Sequence, residues 1–178
     1  MHNGMVEFEG SVNECIFKYT KNISKVLNYR KNLGGYIEQA FSKNTIDGSI
    51  INTISPIYPI EFIIKLNNKS ILLENPQIGI AISDLCGNRI STITSYYSES
   101  ELGQICDKAI IRCYVEHLPL SEGNYNVKIT LSNRNQDLEV IENAFQLSYV
   151  QADFYNNGRL PYKNHGFLMT KSKWEVLK

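Results

Sequence analysis

No G-x-x-x-x-G-K-[ST] run occurs anywhere in the 178 residues. The glycine-rich loop and lysine that cradle nucleotide phosphates are missing, which excludes ATP hydrolysis by that route. Neither sign of charge is in excess, since Lys+Arg and Asp+Glu both number 18. A chain so balanced offers a polyanion no electrostatic footprint, so nucleic acid is not an expected partner. The four cysteines, Cys15, Cys86, Cys106 and Cys113, form no Cys-x-x-Cys pair and have no histidine at ligand spacing. That argues for reduced thiols and against a metal centre or any cofactor. The longest apolar stretches, such as Ile60 to Ile64, are far too short to cross a bilayer, and no secretory signal precedes the first elements. His2, His117 and His165 are scattered, and Glu99 and Glu101 stand two apart in a polar loop. A glycosidase needs its acids flanking a cleft at defined separation, so the expectation is a chain that is not an enzyme.

What the chain does have is a 43% hydrophobic composition, enough for a core, distributed in two unlike parts. The segment Asn3 to Tyr19 begins with short strand-like residues around Met5, Val6 and Phe8. Gly10-Ser11 follows, then Val12, Cys15, Ile16 and Tyr19 at helical spacing. Ser11 and Glu14 fit a capping box at the start of that helix. A hairpin and helix this short are marginal alone, so the segment reads as the end of a domain whose body is absent. Lys, Asn and Gly then dominate up to Asn32-Leu33-Gly34-Gly35, which places a boundary between residues 1–35 and 36–178.

Beyond the boundary the period changes. Strands are expected over Tyr36 to Ser42, Ser49 to Ile54, Ile57 to Leu66, Ile78 to Asp84, Arg89 to Tyr96, Ala109 to Glu116, Tyr125 to Ser132 and Ala144 to Val150. Turn signals at Asp47-Gly48, Asn67-Asn68, Asn75-Pro76, Gly87-Asn88, Glu122 to Asn124 and Asn133 to Gln136 separate them. Short strands at such intervals predict an all-β, immunoglobulin-like antiparallel β-sandwich, preceded by the short N-terminal helical segment. Alternation assigns the inward faces: Ile60, Phe62, Ile64 and Leu66; Ile78, Ile80 and Ile82; Ile111, Cys113 and Val115; Val127, Ile129 and Leu131; Phe145, Leu147 and Tyr149. Tyr125, just after the Gly123 turn, is placed to send its hydroxyl back to the preceding loop as a tyrosine corner.

The opposite faces are small and polar. Gln77, Gly79, Ala81 and Ser83 form one row; Asn126, Lys128, Thr130 and Ser132 a second; Asn143, Gln146 and Ser148 a third. If these strands share a sheet, they present an open surface of amides and hydroxyls with few long charged residues. A sugar suits such a surface, because its hydroxyls need donors and acceptors while its C–H faces want a flat ring. The candidate carbohydrate-binding residues are Gln77, Ser83, Tyr96, Asn126, Lys128, Thr130, Gln146 and Ser148, with Tyr97 and Tyr58 as further platforms. After the last strand, Asp153 to Gly158 forms a break, and Phe167, Leu168, Met169 and Trp174 follow. An aromatic tail of this kind either folds back or lies against another subunit, and exchange of a terminal strand in a homodimer is the preferred expectation.

These parts resemble one family. Asn3, Gly4, Val6, Gly10, Glu14 and Tyr19 resemble the closing segment of an ABC-transporter ATPase domain. The sandwich from about Tyr36, the L-x-x-G-x-Y turn at Leu120 to Tyr125, the strand Ile78 to Asp84 with Gly87 and Arg89, and Gly166 to Trp174 resemble the C-terminal domain of the ATP-binding subunit of O-antigen polysaccharide ABC transporters, the Wzt type. That resemblance implies a module that binds carbohydrate without catalysis, recognising the terminal part of a lipid-linked O-antigen polysaccharide and selecting it for export. It also implies a cytoplasmic place at the inner face of the bacterial inner membrane, a transporter permease as partner through the parent ATPase subunit, and a homodimer with an exchanged C-terminal strand. The alternative is a structural dimerisation or regulatory domain of that subunit without glycan binding. No individual binding residue is carried over from the family; the eight named above come from the sheet-face argument.

Overall fold

The structure, a computed structural model, describes residues 35–67, 72–98, 101–134, 136–162 and 166–176. The expected N-terminal hairpin and capped helix, and the boundary at residue 35, fall on or against residues outside these. The order of elements is β1 (Ile37–Asn44), β2 (Ile50–Ile51), β3 (Thr53–Ile54), β4 (Ile60–Leu66), β5 (Leu73–Glu74), β6 (Gln77–Ser83), β7 (Arg89–Thr94), β8 (Gln104–Ile105), β9 (Ala109–Val115), β10 (Gly123–Asn133) and β11 (Gln136–Tyr149). A single turn of 3-10 helix, Ser95–Tyr97, follows β7.

Two layers result, with strand order β2-β1-β4-β9 in the smaller sheet and β3-β11-β10-β6-β7 in the larger. The chain changes layers at Asn52: β2 pairs with β1, while β3 runs parallel to β11, with Thr53 opposite Ser148. That short parallel contact is the one departure from antiparallel pairing among the named strands. It follows from one extended segment, residues 50–54, that serves both sheets in turn. The Asp47-Gly48 turn forms as expected, with Gly48 at φ +67°, a conformation that costs an L side chain but not glycine.

Alternation decides the interior. Ile60, Phe62, Ile64 and Leu66 from the smaller sheet meet Ile78, Ile80, Ile82, Val127, Ile129, Leu131 and Leu147 from the larger, all fully or almost fully buried. Phe62 and Phe145 stack across the layers with ring centroids 6.3 Å apart. Each such side chain contributes about 1.5–3 kcal/mol as an upper figure. The tyrosine corner is present: the Tyr125 hydroxyl donates to the Ser121 carbonyl at 2.8 Å, and its ring meets Tyr149 edge-on at 5.6 Å.

The strand boundaries differ most in β11. It begins eight residues before the expected Ala144, because the Asn133–Gln136 turn is a tight hairpin that continues both strands. The register of β10 and β11 shifts between Val127 and Ile129, so Ala144 and Phe145 are both buried in succession. Period-two counting fails across such a bulge. The pair β5–β8 was not expected either, two residues being too few to show a period.

The tail folds back on its own chain as far as Met169. Phe167 O accepts the Ser121 N–H at 2.9 Å and the Met169 N–H donates to Pro119 O at 2.8 Å. Met169 is buried, whereas Trp174 and Val176 are 93% and 88% exposed.

Candidate functional site

The outer face of the larger sheet is built on β10, its central polar strand. β6 and β11 flank it, in antiparallel register on both sides. Asn126 lies between Ser83 of β6 and Gln146 of β11; Thr130 lies between Gly79 and Val140; Ser132 faces Gln77. The conditional in the sequence argument, that these three strands share one sheet, is therefore met. Gln77, Ser83, Asn126, Lys128, Thr130, Gln146 and Ser148 sit on adjacent strands of it. From Gln77 to Ser83 the face runs about 20 Å, at ~3.3 Å per residue.

Its polar groups pair laterally. Gln146 Nε2 donates to Asn126 Oδ1 at 2.9 Å, and Ser148 Oγ to Asn124 Oδ1 at 2.7 Å. The Gln146–Asn126 amide pair uses one donor and one acceptor, which leaves the Asn126 NH2 group and the Gln146 carbonyl side by side, while the Ser148–Asn124 pair leaves the Asn124 NH2 group. Vicinal hydroxyls on a sugar ring need that combination. Gly79 keeps the middle of the face low: a Cβ there would meet Thr130 Cβ at 3.8 Å.

Two features depart from the expected surface. Long charged side chains are not as scarce as the strand rows suggested, because Lys128 pairs with Glu142 at 2.8 Å across the bulge. Arg89, at the start of β7, reaches Thr92 at 3.2 Å. Glu142 was missed because β11 was expected to begin after it. Thr92 and Thr94 of β7, opposite Ala81 and Gly79, extend the face by another strand, and the alternation in Arg89–Thr94 was the signal for them.

Tyr96 stands in the 3-10 turn beyond β7, 60% exposed, with Tyr97 against it edge-on at 5.1 Å. Ser95 Oγ accepts the Ile78 N–H at 2.9 Å and so ties this turn to the start of β6, beside Gln77. Tyr58 does not join the other tyrosines. It follows β3, at the opposite edge of the sheet from β7, which is about 19 Å away at ~4.8 Å per strand.

Among the described residues no cluster of three or more His, Cys, Asp or Glu is disposed to hold a metal ion, and no helix is long and apolar enough to cross a membrane.

A family described as the Wzt C-terminal domain matches residues 34–166. The chain belongs to that family. Among solved structures, a crystal structure of the C-terminal domain of Wzt superposes with a TM-score of 0.63 at 14% identity, covering 84% of this chain and 92% of that one. At that identity the likeness shows the fold. The CARDB domain of the PF1109 protein from Pyrococcus furiosus is more remote, at a TM-score of 0.37 and 17% identity over 62% of this chain and 90% of that one. No curated protein matches the sequence. Membership makes this chain an ABC-transporter-associated carbohydrate-binding domain, the part of a Wzt-type transporter subunit that is not the ATPase.

Proposed function

We propose that this Wzt C-terminal domain recognises the terminal part of a lipid-linked O-antigen polysaccharide in the cytoplasm and selects it for export, and that the outer face of the larger sheet is where the glycan lies. The observation that carries this reading is the row Ser83, Asn126, Gln146, with Asn124 and Ser148 beside it, on neighbouring strands. It offers unused donors and acceptors on a surface low enough for a saccharide to cross. Gln77, Thr130 and Lys128 continue the face, and Tyr96 with Tyr97 supplies an apolar platform at the end nearest Gln77.

An open face leaves most sugar hydroxyls partly wet, so affinity is expected between micromolar and millimolar, about −4 to −8 kcal/mol. Titrating the domain with its own strain's polysaccharide, and with the same polymer lacking its terminal group, tests both halves of the reading. Saturable binding that depends on the end group supports it; equal binding of both polymers removes terminal recognition.

The partners proposed with it are a second copy of the subunit, with the C-terminal strand exchanged, and the transporter permease through the parent subunit. Exposure of Trp174 and Val176 beyond the docked Met169 favours a partner for residues 170–176. One observation favours the alternative, a structural dimerisation or regulatory domain: Lys128–Glu142 and Asn126–Gln146 already satisfy part of the face internally. Absence of any saturable glycan binding would leave that reading standing.

A further inference from the structure

β7 ends the larger sheet and β9 the smaller, and beside them, against Ile93, Ile111 and Cys113, the layers part around a cleft of about 320 Å³. Among the described residues β9 pairs with β4 alone, so its other edge carries N–H and C=O groups that no described backbone meets. Ala109–Val115 has no proline, no bulge against β4 and no inward-pointing charge, the devices that keep such an edge from pairing with another chain. Its one charge, Arg112, points outward and contacts Glu61 of its own sheet at 3.4 Å. On the same outward side Ile110 is 69% and Tyr114 55% exposed.

The strand is self-complementary about Arg112. In an antiparallel pair with a second copy, around a two-fold axis through that residue, directly opposed side chains lie on the same side of the sheet. Outward, Ile110 then faces Tyr114 of the second copy, and Lys108 faces its Glu116, two exposed residues just beyond the ends of β9. Inward, Ile111 faces Cys113 and Ala109 faces Val115. Opposed Cβ atoms stand about 4.5–5.5 Å apart, close enough for apolar and ionic pairs to stabilise the contact. Arg112 meets its own copy, with each guanidinium already on a Glu61 carboxylate. An axis through Ile111 would set Ile110 against Arg112, and one through Cys113 would set Ile110 against Glu116. The Arg112 axis matches apolar with apolar and cation with anion.

We infer that β9 is a contact between two copies of this chain, joined edge to edge so that their smaller sheets run on as one. The inward residues of the second copy then continue the apolar wall that Ile111 and Cys113 present to the cleft. One strand pair covers less than the ~1,200–2,000 Å² that a stable interface buries, so it closes only between copies already held together. The contact therefore rests on the homodimer proposed above, and uses a surface other than the exchanged tail.

Sedimentation of the whole chain and disulfide trapping test it together. I110C and Y114C are placed in separate, differently tagged chains, each with Cys15, Cys86 and Cys106 changed to Ser. Co-expressed and oxidised, the two are expected to cross-link about tenfold faster than either alone, because only the mixture sets cysteines opposite each other. K108E, which opposes like charges, is expected to weaken dimerisation about three- to tenfold, E116K likewise, and the double swap to restore it. A dimer whose mixture cross-links no faster than its parts, or whose double swap restores nothing, overturns the contact and leaves the homodimer standing. A chain that sediments as a monomer at every concentration removes the homodimer and the contact with it. Trapping of I110C by W174C in place of Y114C would give this edge to the second copy's tail, and would overturn the contact too.

Discussion

Glu139 of β11 accepts the backbone N–H of Ile37, at the start of β1, at 2.8 Å, and so fastens the larger sheet to the smaller. Gly35 makes room for it, because a Cβ there would lie 1.9 Å from Glu139 Oε1. E139A is expected to cost about 1.5–3 kcal/mol, the scale of a hydrogen bond to a charged group. G35A pushes the carboxylate aside and so removes the same bond. The double variant is therefore expected to cost little more than either single one; urea denaturation of all three, with fully additive losses, would show that the clasp is not shared.

Tyr125 and Tyr149 touch edge-on and differ in one respect. The Tyr125 hydroxyl donates to Ser121 O, whereas the Tyr149 hydroxyl is buried with no partner among the described residues. Y125F is expected to lose about 1–1.5 kcal/mol, and Y149F to be neutral or stabilising, because it removes a desolvated group with nothing to bond. Equal losses in thermal unfolding would contradict this.

Burial raises the pKa of both tyrosines above their ordinary value of 10.0, Tyr149 the more strongly. A phenol harder to ionise in the folded state contributes stability that is intact below pH 10 and falls as pH rises past it, where the unfolded chain ionises first. The wild type is expected to lose stability steeply in alkali, and Y149F to lose less. Stability measured from pH 8 to 11 checks the slope.

Asp84 gives the opposite sign at the acid end. The Asn88 side chain donates to it, the backbone N–H groups of Asn88, Cys86 and Gly87 add to this, and its carboxyl is held below the ordinary value of 3.8. Its contribution is present above that pH and is lost as pH falls through the lowered value in the folded state. D84N is expected to be less stable than wild type at pH 7, with the gap closing in strong acid. A gap that stays constant with pH would show that the charge is not what matters.

On the outer face, N126A and Q146A are each expected to weaken glycan binding about three- to tenfold, the size of one or two modest hydrogen bonds, without changing the melting temperature. Ala at Thr53, buried beside Ser148, serves as the contrast, altering stability instead. Unchanged affinity across the first pair moves the glycan to another surface.

In the tail, Met169 is docked and Trp174 is not. M169A is expected to destabilise the folded chain by about 2 kcal/mol, the scale of truncating a buried methionine. Removing residues 170–178 is expected to leave the fold intact and abolish dimerisation. Sedimentation of the truncated chain decides it: a persistent dimer would place the interface elsewhere.

Much of this was readable because a strand carries its instructions locally. Ile60 to Leu66 or Tyr125 to Leu131 declare an inward face by alternation alone, and that sufficed to predict the sandwich and to put Asn126, Lys128 and Thr130 on its outside. The same logic failed at Ile141 to Phe145, where the bulge inserts residues out of phase. Glu142 was missed there, and with it the ion pair that constrains Lys128.

The one-dimensional chain, then, settled the periods, the turns at Gly48 and Gly123, and the polarity of each strand face, because those depend on neighbours within a few residues. Which strands became neighbours, the parallel contact of Thr53 with Ser148, the Glu139 clasp and the parting of the layers beside Ile93 and Cys113 were decided only in three dimensions. Those features join residues from about 20 to 100 positions apart, and no local signal records the partner until the sheets are stacked.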